Sequence, residues 1–113
     1  MNVYLYLQIA SALRVSILRG DYITEQQMPS IRALAQREGI VQKALKVLEK
    51  QGLIVSRGSK GYFVIESDQK IIELRNQDSN TLTKMLLEKL YELGFSDTEI
   101  IKMFEEYVAT KNK

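Results

Sequence analysis

MPSIRALAQREGIVQKALKVLEKQGLIVSRGSKGYFV, residues 28–64, decides the fold. Its punctuation predicts two short helices followed by a hairpin. Ser30, after Pro29, is placed to cap the free N–H groups of a helix beginning at Ile31. Leu34 and Ala35 fall on the buried side of that helix. Gly39 is expected to close it, because glycine takes the left-handed conformation without steric cost. Val41, Ala44, Leu45 and Leu48 then form one apolar stripe at helical spacing, with Gln42, Lys43, Lys46 and Lys50 opposite. Gly52 stops this second helix. Leu53-Ile54-Val55 begins a strand, Arg57-Gly58-Ser59-Lys60-Gly61 makes a glycine-rich turn, and Tyr62-Phe63-Val64-Ile65 returns. Helix, turn, helix and basic-tipped hairpin is the order of a winged helix-turn-helix.

That order suits duplex DNA. A helix fits the major groove and can bring side chains to base edges, while a glycine-tipped loop approaches the backbone or minor groove beside it. Cations on both elements would neutralise phosphates and release counterions. Gln42 and Lys43 lie nearest the groove: glutamine pairs with adenine, and lysine with guanine or a phosphate. Lys46 is placed for phosphate, and Lys50 projects past the groove. A lysine-bearing helix face alone is more often a solvated surface. Combined with the basic hairpin tip, the balance turns to DNA. Tyr62 and Phe63 alternate along a strand, so at least one packs inward and neither is assigned as a stacking platform.

PSIRALAQREG, VQKALKVLEKQGLI and RGSKGYFV resemble the DNA-binding domain of GntR-type bacterial transcription regulators, and with the short tail the likeness is to the small YtrA-like branch. The resemblance runs from about residue 3 to residue 110. It implies a homodimeric repressor or activator of a bacterial operon, with a repressor the expectation. It also implies DNA contact by Arg32, for which a surface ion pair with Glu38 or Glu49 competes. At the wing it implies a glycine that admits the backbone and a cation near the minor groove. The expected DNA-facing set is therefore Ser30, Arg32, Gln42, Lys43, Lys46, Arg57, Gly58, Lys60 and Gly61.

The chain departs from the family at one place. No Ser, Thr, Asp or Asn lies between Ser30 and Ser56, so the second helix lacks a recognisable N-cap. One residue after a closing glycine is little chain for a turn of about 90–120°. Either the turn is truncated or about four turn residues are missing between Ile40 and Val41; the expectation is a gap, marked by a Cα separation far above about 3.8 Å. A continuous peptide would put base reading in doubt.

The whole chain, 113 residues with 45 % hydrophobic content, suits one compact domain plus an appendage. It has neither cysteine nor histidine, which removes disulfides, the usual zinc ligands, the commonest general base and the thiol nucleophile. No remaining pair of residues stands out for catalysis, so an enzyme is not expected, nor is a cofactor or a metal. Residues 1–66 carry nine Lys and Arg against five Asp and Glu, and residues 67–113 carry seven against nine. A basic body with an acidic appendage fits nucleic acid at one end and protein at the other.

Residues 3–19 set Leu5, Ile9, Ala12, Leu13, Ser16 and Ile17 on one helical face, ending at Gly20. Without a cationic start, and broken by Gln8 and Arg14, this is a core helix and not a signal peptide. Tyr4 and Tyr6 are packing or interface residues. Residues 21–27 are a polar linker. No run approaches the roughly 18 apolar residues of a membrane span, and the cytoplasm is the expected compartment.

The tail, residues 67–113, begins an apolar face at Ile71, Ile72 and Leu74. After a polar stretch, Leu82, Met85, Leu86, Leu90 and Leu93 resume it; one helix over 68–93 is expected. Ser96-Asp97-Thr98-Glu99 is a capping box, opening a helix striped by Ile100, Ile101, Phe104, Tyr107 and Val108. Two helices have too little interior to bury both stripes, and each large apolar side chain gains roughly 1.5–3 kcal/mol on burial. A second copy is the expected cover, with Met85 and Met103 as filler. A twofold pair would set two recognition helices about 34 Å apart.

The sequence thus predicts a mainly α protein with a small β-hairpin: a winged helix-turn-helix over 1–66 for DNA, and a C-terminal helical hairpin over 67–113 for dimerisation. Its partners would be an operator duplex and a second copy. The tail has no room for a large effector domain, so a small-molecule effector would have to use the dimer cleft or be lacking. The rival is a winged-helix protein-interaction module, or anti-repressor, that no longer reads bases.

Overall fold

The computed structural model of the chain describes residues 5–29 and 38–112. By contacts it forms two compact units, Met1–Arg75 and Asn76–Lys113.

In the first unit, helix α1 (Leu5–Arg19) buries Ala10, Leu13 and Ile17, with Tyr6 and Ile9 packed against the same core. Ala12, expected on this face, is exposed, and Ala10 takes its place. Helix α2 (Glu38–Lys50) lies against α1 and buries Val41, Ala44, Leu45 and Leu48 to 0–1 % exposure. These four are the predicted stripe. Strand β1 (Ile54–Ser56) then pairs antiparallel with β2 (Tyr62–Val64), in the register Ile54–Val64, Val55–Phe63, Ser56–Tyr62. Leu53, Ile54 and Val64 complete the core from the hairpin, and Leu74 reaches it from helix α3 (Asp68–Glu92).

The gap expected between Ile40 and Val41 does not exist, and Gly39 does not close a helix. An α-helix crosses Glu38, Gly39, Ile40 and Val41 without interruption. Gly39 is absent from the left-handed region, where Gly52 sits at φ +82°. A glycine inside a helix costs about 1 kcal/mol. Ending one helix and starting another within one residue would strand several backbone groups with no polar side chain near to take them. The smaller cost prevails. Ser30 and residues 31–37, including Leu34 and Ala35, lie outside the described residues.

The linker does more than connect. Glu25, at φ +64°, turns the chain so that its N–H donates to the Val64 carbonyl at 3.0 Å. Val64 N donates to the Gln26 carbonyl at 2.9 Å and Met28 N to the Tyr62 carbonyl at 2.8 Å, with Gln27 bridged to Phe63. Residues 26–28 thus act as a third strand on the outer edge of β2. Met28 turns inward and is buried.

Helix α3 is one helix through its polar stretch, as expected. Ser67 Oγ accepts from Lys70 N at 3.1 Å at its start, while Thr81 Oγ1 and Thr83 Oγ1 donate to the Gln77 and Ser79 carbonyls. Hydroxyls that bond back to the preceding turn let polar residues face water without breaking the helix. After Gly94, helix α4 (Asp97–Lys111) opens with the predicted capping box: Ser96 Oγ accepts from Glu99 N at 3.2 Å and Glu99 Oε1 from Ser96 N at 3.0 Å. Tyr91 OH donates to Asp97 Oδ1 across the turn at 2.5 Å. Ile100 is buried, whereas Leu82, Leu93 and Tyr107 are 67, 74 and 72 % exposed.

Two outcomes are expected. Gly39→Ala should raise stability by about 0.5–1 kcal/mol in urea unfolding, because alanine is the better helix former. Gly52→Ala should lower it by about 1–2 kcal/mol, since alanine pays to enter the left-handed region. Separately, hydrogen bonds from Ser96 N–H and then its hydroxyl hold the Glu99 carboxyl below its ordinary pKa. A depressed carboxyl contributes fully above its unfolded value, so the cap should weaken as pH falls below about 4.3. Helicity followed by circular dichroism should show this acid loss in the native chain, and a smaller one in Ser96→Ala.

Candidate nucleic-acid interface

Burial of one side of α2 decides what its other side offers. With Val41, Ala44, Leu45 and Leu48 in the core, Gln42, Lys43, Lys46 and Lys50 are all exposed, joined on that arc by Glu49. The Lys43 ammonium lies 5.9 Å from the centre of the Tyr6 ring, an aromatic face that attracts a cation. Tyr6 therefore has a role beyond packing. Tyr62 is half-buried against the core, and its hydroxyl is pushed above its ordinary pKa by burial and by the Glu49 carboxylate. Glu49 thus tempers the positive face on the side near β2.

The wing tip is a 3-10 turn, Gly58–Lys60, closed by Gly61. Gly58 and Gly61 hold φ +61° and +98°, conformations that side chains resist, so both positions call for glycine. Gly61 N donates to the Gly58 carbonyl at 3.2 Å and Arg57 N to the Gly61 carbonyl at 2.8 Å. Arg57 does not stand free at the apex. Its guanidinium stacks 4.6 Å from the centre of the Phe63 ring, leaving one face of the planar fork open. Lys60 is exposed, and its carbonyl accepts from Gln27 Nε2 at 2.8 Å.

Gln42, Lys43, Lys46, Arg57, Gly58, Lys60 and Gly61 thus all occur on α2 or the hairpin tip, within one compact unit. Ser30 and Arg32 lie outside the described residues. Gln27 and Tyr6 are support that the sequence did not disclose. A polar residue in a linker gives no local signal of strand pairing; only its partner strand reveals it.

Among the described residues no polar or charged side chain is buried, and no cluster of acidic residues could hold a metal ion. No described helix is long and apolar enough to cross a membrane.

Known proteins agree with this geometry. The family model "Bacterial regulatory proteins, gntR family" matches residues 5–64, the span from α1 through β2. The HTH-type transcriptional regulator YhcF of Bacillus subtilis is 25 % identical over 109 residues, covering 90 % of each chain. A GntR-family transcriptional regulator from Bacteroides thetaiotaomicron is 29 % identical with a TM-score of 0.71, over 95 % of this chain and 98 % of that one. A GntR-family regulator from Listeria monocytogenes shares the fold at a TM-score of 0.86 and 24 % identity, over 90 % of this chain and 93 % of that one. The chain belongs to the gntR family of bacterial regulatory proteins: it is a winged-helix, DNA-binding transcription regulator and not an enzyme.

Proposed function

We propose that the protein is a cytoplasmic homodimeric repressor that binds a pseudo-palindromic operator, with residues 1–66 on DNA and the tail as the dimer clasp. The observation that carries this reading is the pairing of two exposed surfaces of opposite character. Lysines line the outer face of α2 and cations flank the wing, while α3 and α4 leave large apolar side chains in water.

On DNA, Lys46 and Lys60 neutralise phosphates. Arg57, held against Phe63, presents its fork without much rotamer freedom left to lose. Gln42 and Lys43 lie one turn nearer the start of α2 and are the base-reading candidates. Lys46→Ala should weaken binding to all duplexes alike and lower the salt slope by about 1. Gln42→Ala should leave that slope unchanged and narrow the gap between operator and random duplex by roughly 1–3 kcal/mol. Fluorescence anisotropy across a salt series checks both, on fragments selected from the source genome.

In the tail, Leu82, Met85, Leu86, Leu93, Ile101, Phe104, Tyr107 and Val108 are exposed within one chain, as is Ile72 nearer the winged body. Leu90 is half-buried, and Ile100 is already covered inside its own unit. Monomeric soluble proteins rarely leave so many large apolar groups together in water. Light scattering should give twice the chain mass. Leu86→Asp should shift it toward one chain mass and weaken operator binding by the roughly 10²–10⁴-fold that linkage supplies.

A second reading, a winged-helix module that docks protein and does not read bases, has one observation on its side. Helix α2 runs unbroken through Gly39, Ile40 and Val41, and a continuous peptide there is what leaves base reading in doubt. Equal affinity of the native protein for all genomic fragments would favour it.

A further inference from the structure

Gln26 and Gln27 stand side by side, but their side chains do different work. Gln26 Oε1 accepts from Ile23 N at 3.0 Å and ties its own loop. Gln27 Nε2 crosses 33 positions to donate to the Lys60 carbonyl at 2.8 Å. The backbone beneath is fixed, because Gln27 bridges to Phe63 and Met28 N bonds the Tyr62 carbonyl. The amide orientation is fixed too, since only the nitrogen of the amide can donate to a carbonyl.

The wing tip needs such a tether. Arg57, Gly58, Ser59 and Lys60 are all exposed, and the stacking of Arg57 on Phe63 lies within the hairpin itself. The backbone bonds described at the tip, from Arg57, Lys60 and Gly61, all close on the tip itself. They set its shape and not its position against the body. A Cβ placed on Gly61 would meet Gln27 Nε2 at 3.5 Å, an ordinary contact, so the amide lies directly beside Gly61.

We infer that Gln27 is a positioning residue of the DNA-binding surface: its side-chain amide pins the wing tip to the edge strand and holds Lys60 in place for phosphate. This rests on the proposed role of the wing at DNA. One hydrogen bond in water shifts such a loop equilibrium by about three- to ten-fold. Binding that needs the ordered tip weakens by the same factor when the tether is cut.

Gln27→Met keeps the length and bulk of the side chain and removes its donor and acceptor. The full chain is compared with Gln27→Met, Lys60→Ala and the double variant. Two readouts are used: amide exchange at Arg57 and Gly61 without DNA, and affinity for a mixed-sequence duplex of about three helical turns. The expected result is faster exchange at both amides in Gln27→Met, with the exchange of core amides in α2 unchanged. Duplex binding should be three- to ten-fold weaker, with nothing added when Lys60 is already alanine. Unchanged exchange at the tip overturns the tether. A loss that adds in full to that of Lys60→Ala overturns the route through the wing. Failure of the underlying reading has its own signature: Lys60→Ala then binds the duplex like the native chain, which overturns the role at DNA whatever the exchange shows.

Discussion

The seating of α2 on the hairpin is the contact from which the first unit's surface chemistry follows. Leu45 and Leu48 are sealed beside Leu53, Ile54 and Val64, with α1 closing the other side through Leu13 and Ile17. A helix buried along one stripe has no freedom to rotate, since turning it would carry Gln42 or Lys46 into the core. Burying an unpaired charge there would cost far more than any single contact returns. The polar face of α2 is therefore fixed in direction by its apolar face. A recognition surface can be mobile at its side-chain tips and still reproducible in its backbone, because the selection happened in the core.

The same economy extends outward to the hairpin, by weaker means. Strands of three residues make a marginal sheet. What supports them is a third segment, residues 26–28, whose backbone bonds occupy the outer edge of β2. That edge would otherwise offer unpaired groups to another chain. The segment belongs to the stretch that leads from α1 towards Pro29, so the wing and the route into residues 30–37 share one strand. A change in that linker is felt at the wing, through hydrogen bonds and not through apolar packing.

How much of this was legible in the sequence follows from which forces were local. The stripe 41-44-45-48, the hairpin and its glycine tip, and the Ser96–Glu99 box all announced themselves, because each depends on spacing within a few residues. The continuous α3 was legible for the same reason. The glycine at 39 misled, since glycine is permitted to end a helix but not obliged to. With no capping side chain following it, the helix simply ran through. The choice of Ala10 over Ala12 was also out of reach, as two alanines on one turn differ only in what packs against them. Gln27 and the third strand lay furthest from view. Their meaning resides in partners more than thirty positions away, and no propensity marks a glutamine as a tether.

The exposed tail bears on how much each winged body must achieve alone. A single helix brings few side chains to a groove, so one half-site alone would be bound weakly and with modest selectivity. Joining two such bodies through the apolar faces of α3 and α4 would make the second contact intramolecular, and affinity would rise with no better contact at either end. Discrimination would rise as well, because two modest preferences multiply and the spacing between half-sites becomes a further requirement. A chain with a limited reading head gains most from being doubled. In the proposed dimer, the apolar surface of the tail and the polar face of α2 would answer one physical problem.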